Sequence, residues 1–201
     1  MIDGATPIMT GLLSGAVSRA KSASVAPGRS NAGAADVIFF TIGDCSLGAV
    51  LVALSETGVR AILIGEEPLA LEQDLQARFP RANLIAGDKD FARLAAKVVA
   101  YVETPEGALP LPLDARGTEF QRRVWRALRD IPLGATASYG DIARRIGQPK
   151  AMRAVGSACA ANPIAILIPC HRVICGDGAL SGYGFGGSGR KSALLAREAR
   201  R

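Results

Sequence analysis

Three β-rich runs packed into fewer than thirty residues constrain this chain more than any other feature of it. Residues 37–41, 49–54 and 60–64 are apolar and β-prone, and the stretches between them hold Gly43-Asp44 and then Glu56-Thr57-Gly58. Connections this short join antiparallel neighbours, because a parallel crossover takes about a dozen residues or more. An antiparallel meander is therefore expected. Pro68 then opens a helix in which Leu69, Leu71 and Leu75 stand among Glu72, Gln73 and Asp74, and Phe79-Pro80 ends it. Residues 90–102 form a second helix, with Phe91, Leu94, Ala95 and Val98 at helical spacing. This α+β module shows no chemistry of its own. Ahead of it, residues 1–34 are rich in Gly, Ala and Ser and read as a flexible tail with one short helix around 10–19.

Residues 104–112 carry three prolines and Gly107 and mark a boundary. Beyond it, Thr118 caps a helix whose apolar face is Phe120, Val124, Trp125 and Leu128, until Pro132-Leu133-Gly134 stops the chain. Ser138 caps a short helix through Ile146, and Gly147-Gln148-Pro149 turns into a second over residues 150–161. Two short helices about a Gly-containing turn fit a helix-turn-helix, and equally an αα-hairpin inside an ordinary bundle. The second helix is almost free of bulk on one face, with Arg153 projecting, which suits a narrow groove such as the roughly 6 Å minor groove of B-DNA.

Charge divides along the same boundary. Residues 1–109 hold 9 basic and 12 acidic side chains, whereas residues 110–201 hold 15 and 6. A basic half beside a mildly acidic one fits a polyanion partner, or a solvated basic surface with no such partner. With 49% hydrophobic and 21% charged residues, disorder along most of the chain is excluded. No apolar run approaches the roughly 18 residues of a membrane span. The four cysteines (45, 159, 170, 175) and one histidine are too sparse for a disulfide framework or a recognisable zinc site, and a reduced, cytoplasmic setting is expected.

The apolar run at 164–168 reads as a buried strand or extended segment that delivers Cys170 to a break forced by Pro169, with His171 next in line. A thiol attacks only as thiolate, and a nearby imidazole or guanidinium lowers its pKa. Neighbours along a strand point to opposite faces, so Cys170 and His171 can cooperate only across a bend or through water. Taken alone, the pair also fits a small buried hydrophobe beside an unrelated histidine.

The stretch Ile168-Pro169-Cys170-His171-Arg172-Val173, with Ser138-Tyr139-Gly140 and Arg153-Ala154-Val155-Gly156 before it, resembles the 6-O-alkylguanine-DNA alkyltransferases. These are the methylated-DNA–protein-cysteine methyltransferases. Leu113-Asp114-Ala115-Arg116-Gly117-Thr118 and Ser157-Ala158-Cys159-Ala160-Ala161-Asn162 make it most similar to the alkyltransferase half of bacterial Ada proteins.

The resemblance implies an α+β chain. An RNase H-like α/β domain would span residues 35–109, and a helical domain with the helix-turn-helix and the active-site cysteine would span 110–201. It implies direct DNA repair by irreversible, stoichiometric transfer of the alkyl group of 6-O-methylguanine, and of 4-O-methylthymine, to the protein itself. Cys170 is then the nucleophile, His171 takes its proton through water, Glu198 supports the imidazole and Tyr139 donates to the leaving base. Arg153, Ala154, Ser138 and Arg172 contact double-stranded DNA from the minor groove with the damaged base flipped out, Arg153 filling its place. Asn162, Tyr183, Gly184 and Lys191 line the pocket. No metal or organic cofactor, no membrane and a monomer are expected.

The sequence departs from the family pattern Gly-Tyr-x-Trp-Gly followed closely by Arg-Lys. Residues 182–191 have Phe185 for the Trp, one extra residue and five glycines up to 189, so a mobile and permissive pocket loop is expected. A non-catalytic DNA-binding protein and a cysteine hydrolase are the competing readings.

Overall fold

The computed structural model describes residues 36–200. The tail expected at 1–34, with its helix near 10–19, lies outside the described residues. The chain forms β1 (Val37–Cys45), β2 (Gly48–Ser55), β3 (Gly58–Gly65), α1 (Pro68–Arg78), β4 (Asn83–Ala86) and α2 (Lys89–Glu103). There follow α3 (Glu119–Arg129), β5 (Ala137–Ser138), α4 (Tyr139–Arg145), α5 (Met152–Ala160), a 3-10 turn at Cys170–Arg172, β6 (Val173–Ile174) and α6 (Gly187–Glu198). No helix among the described residues is long and apolar enough to cross a membrane.

The meander forms, with strands longer than the apolar runs alone indicate. Its order is β3-β2-β1-β4, antiparallel except where β4 runs parallel to β1. All of β2 but Gly48 and all of β3 but Gly65 are buried, which explains their unbroken apolar character. β4, four residues long and mostly exposed, is an element that no apolar pattern in the sequence marks. In α1 the buried stripe is Leu71 and Leu75, one turn apart, whereas Leu69 projects from the opposite side and is 65% exposed.

The outer edge of β3 holds the two halves together. Val59 N–H donates to Pro112 O at 2.8 Å and Asp114 N–H to Val59 O at 2.8 Å. Further along, Ile62 N–H donates to Pro163 O at 3.0 Å and Ala165 N–H to Ile62 O at 3.0 Å. An open sheet edge is thereby satisfied by chain from the second half. Gly58 lets the linker come this close, since a Cβ there would lie 2.4 Å from Pro112 O.

The run 164–168 is not a strand. Only Ile164 bridges to β3; the chain then turns back, with Ile166 at φ 69° and Ile168 N–H donating to Ile164 O at 3.1 Å. The cause is Asn162, whose Oδ1 accepts from Ile164 N–H at 2.9 Å while its Nδ2 donates to Ile168 O at 2.8 Å.

Both expected caps are present as reciprocal boxes. Thr118 Oγ1 accepts from Gln121 N–H and Gln121 Oε1 from Thr118 N–H; Ser138 and Asp141 repeat the arrangement at α4. In α3 the buried side chains are Val124, Trp125, Ala127 and Leu128, with Phe120 half-buried. The Trp125 indole donates to Ala158 O at 2.8 Å and so ties α3 to α5. Trp125→Phe leaves that buried carbonyl unpaired, and urea unfolding should show a loss of about 1–3 kcal/mol.

Candidate active site

Cys170 opens the 3-10 turn immediately after Pro169, with 5% of its surface exposed. The sharp turn, rather than a strand, sets Cys170 and His171 at an angle to each other. Asn162 Nδ2, already holding the preceding turn, donates to Cys170 Sγ at 3.2 Å. Burial pushes the thiol up to about 11, against the opposing influence of the Asn162 hydrogen bond and the Lys191 charge. At neutral pH the sulfur is therefore protonated and requires a base.

His171 is fully buried, and its Nε2 lies 2.8 Å from Glu198 Oε1. With Nε2–H donating to the carboxylate, Nδ1 carries the lone pair, and it has no partner among the described groups. Burial lowers the imidazole pKa while Glu198 acts to raise it, so the neutral form prevails at rest. Glu198 closes α6. Burial acts to raise its pKa, but the hydrogen bonds from His171 and Arg172 prevail and hold it at about 2.

Arg172 corrects one expectation. Its side chain is not presented to DNA. It is 6% exposed, its Nε and Nη2 donate to Glu198 at 2.9 and 3.0 Å, and Nη1 donates to Ile131 O at 2.7 Å. A buried carboxylate needs a countercharge, and this two-pronged contact supplies it. Ser138 is likewise engaged internally. Its hydroxyl donates to Asp141 Oδ2 at 2.7 Å and accepts from Asp141 N–H, leaving no proton for a phosphate. Arg153 and Ala154 stand exposed on α5.

Around the sulfur, the Tyr139 hydroxyl pairs with Ser181 Oγ at 2.6 Å, and Lys191 Nζ donates to the same oxygen at 2.9 Å and to Val173 O at 2.5 Å. Ser181 is the junction that the sequence reading missed, since nothing local marks a serine that joins α4 to α6. Burial lowers the pKa of Lys191 and raises that of Tyr139. The Tyr183 ring lies edge-on to His171 at 6.3 Å and to Phe185 at 5.3 Å, and its buried hydroxyl has no partner among the described groups. Gly184 is exposed opposite the end of α5, a Cβ there coming 3.9 Å from Ala160 O. The glycine-rich stretch is not wholly a loop. Gly186 adopts φ 106°, Gly187 N–H donates to Tyr183 O at 2.8 Å, and Gly187 to Arg190 form the first turn of α6. Cys159, half-buried on α5, is pushed up to about 12 by burial.

A buried thiol, a carboxylate-backed imidazole and a small-faced helix match a known set of proteins. Residues 119–200 fit the family model for the DNA-binding domain of 6-O-methylguanine DNA methyltransferase. A methylated-DNA–protein-cysteine methyltransferase of Mycolicibacterium paratuberculosis is 56% identical over 120 residues, covering 60% of this chain and 72% of that one. The inducible enzyme of Bacillus subtilis is 40% identical over 142 residues, covering 69% and 79%. The chain belongs to the methylated-DNA–protein-cysteine methyltransferase family. It is also 52% identical over 160 residues to the bifunctional transcriptional activator/DNA repair enzyme Ada of Escherichia coli. That match covers 80% of this chain but only 45% of Ada, so the chain spans under half the length of that relative. Among solved structures, Mycobacterium tuberculosis OGT in complex with DNA superposes with a TM-score of 0.68 at 37% identity, covering 81% of this chain and 92% of that one.

Glu198 lies at about 2 in the fold against 4.5 when free. A depressed carboxylate stabilises fully above its unfolded pKa, and that stabilisation is lost as pH falls toward the folded value. Unfolding free energy should therefore drop more steeply between about pH 4.5 and pH 2 in the native chain than in Glu198→Gln, by up to one proton's slope in urea titrations.

Proposed function

We propose that this chain repairs DNA directly, moving the alkyl group of 6-O-methylguanine, and of 4-O-methylthymine, irreversibly to Cys170. The observation that carries this reading is the line Asn162–Cys170 and His171–Glu198–Arg172, buried behind a helix that exposes Arg153 among small residues. His171 takes the thiol proton at Nδ1 through a bridging water. The sulfur attacks the alkyl carbon in line, the S–C bond forms as the C–O bond breaks, and the electron pair leaves on the guanine oxygen. Tyr139 donates to that developing anion, its hydroxyl held by Ser181, which Lys191 anchors in turn. Glu198 balances the imidazolium, and Arg172 keeps Glu198 ionised and in place. The thioether product leaves no nucleophile, so each molecule acts once, and the scheme calls on no cofactor.

The target oxygen lies inside the duplex, so the nucleotide rotates out. We read α4 and α5 as a helix-turn-helix whose second helix enters the minor groove, with Ala154 at the backbone and Arg153 in the vacated stack. Asn162 braces the turn beneath, while Tyr183, Gly184 and Lys191 line the pocket. The meander with α1 and α2 is read as an RNase H-like domain, residues 35–109, joined to the DNA-binding domain at 110–201. The chain acts as a monomer in this scheme. The DNA complex of the Mycobacterium tuberculosis relative supports the partner.

Incubation with duplex DNA carrying 6-O-methylguanine should add one methyl group to the intact protein's mass, and none to Cys170→Ala. Binding without a mass change points to a non-catalytic DNA protein, and repeated turnover to a hydrolase. Arg153→Ala should slow repair in duplex DNA by roughly tenfold or more while leaving reaction with the free base nearly unchanged; equal losses on both substrates would falsify the stack-filling role.

A further inference from the structure

Arg190 has no part in the scheme above, yet its guanidinium joins three separate pieces of chain. Nη1 donates to Phe185 O at 2.8 Å, Nε donates to Leu47 O in the β1–β2 turn at 3.0 Å, and Nη1 reaches Ile64 O at the end of β3 at 3.5 Å. Gly186 is shaped around this contact, for a Cβ there would fall 1.6 Å from Nη1. The Phe185 ring also has the guanidinium of Arg78, at the end of α1, 5.8 Å from its centre. The same β1–β2 turn is gripped again by α6, where Arg197 donates to Ser46 Oγ at 2.5 Å.

From Phe185 the contacts continue to Tyr183 and then His171, each pair of rings steeply inclined in a T-shaped arrangement. A glycine-rich stretch has little conformational preference of its own. What fixes the aromatic wall beside the reacting imidazole is therefore an arginine fork clamped onto the sheet, outside the helical half that carries the chemistry. We propose that Arg190 is a positioning residue that sets the aromatic wall of the alkyl pocket from the β1–β2 turn, and thereby the size of adduct accepted. This rests on the alkyl-transfer reading for the substrate and on the geometry alone for the clamp.

A benzyl adduct has to stack on Tyr183 and Phe185, whereas a methyl group needs only the line of attack at sulfur. Arg190→Ala should slow alkylation of Cys170 by 6-O-benzylguanine roughly tenfold to a hundredfold, and 6-O-methylguanine by less than about threefold. Backbone amides of residues 183–189 should exchange with deuterium about tenfold faster. Arg190→Lys keeps the charge but cannot serve two carbonyls in one plane, and should fall between the two.

Equal slowing with both adducts or unchanged exchange overturns the proposal. A native chain inert to both adducts sinks the alkyl-transfer reading, while the exchange comparison still decides the clamp.

Discussion

The backbone pairing of Ile62 with Pro163 and Ala165 is the constraint on which the rest of this molecule depends. A sheet edge left open is a liability, and here the second half of the chain closes it. Because Asn162 precedes that pairing and Cys170 follows it by a few residues, the reactive sulfur is referenced to the most deeply buried strands in the fold. α5 ends at Ala160, two residues before Asn162, and is pinned by Trp125, so the exposed helix and the sulfur share one frame. A displacement of that edge would reach both at once.

Electrostatics complete the frame. Burying an ionised carboxylate is costly unless it is paired and hydrogen-bonded. Glu198 has three donors from His171 and Arg172 on its two oxygens, and Arg172 is tied in turn to Ile131 O. The histidine's outer nitrogen is thereby fixed in direction and protonation. Lys191 and Tyr139 meet at Ser181 on the other side of the sulfur, so three polar side chains converge there.

Local signals were legible in the sequence and long-range ones were not. Thr118 and Ser138 announced their helices because a cap acts within three residues. The meander was readable from its short connections, while β4 had too few residues and too little burial to leave a pattern. Cys170 and His171 stood out as a pair, but Glu198 lies 27 residues further on and came only through family resemblance. Arg172 illustrates the limit most clearly. The family resemblance puts it among the DNA contacts, and only the fold places it in the interior against a carboxylate. The same applies to the run 164–168, whose composition fits a strand but whose geometry is dictated by the amide of Asn162. It applies also to the glycines after 186, where composition read as a mobile loop and the fold begins a helix.

A sulfur held as the thiol at rest, near 11, has one further consequence. Peroxides and stray cellular electrophiles consume thiolates far faster than thiols. In the alkyl-transfer scheme proposed above, a protein that acts only once has every reason to keep its nucleophile unreactive until the right target fills the cavity. On that scheme, seclusion of Cys170 works as a safeguard, preserving a single opportunity across long intervals without damage.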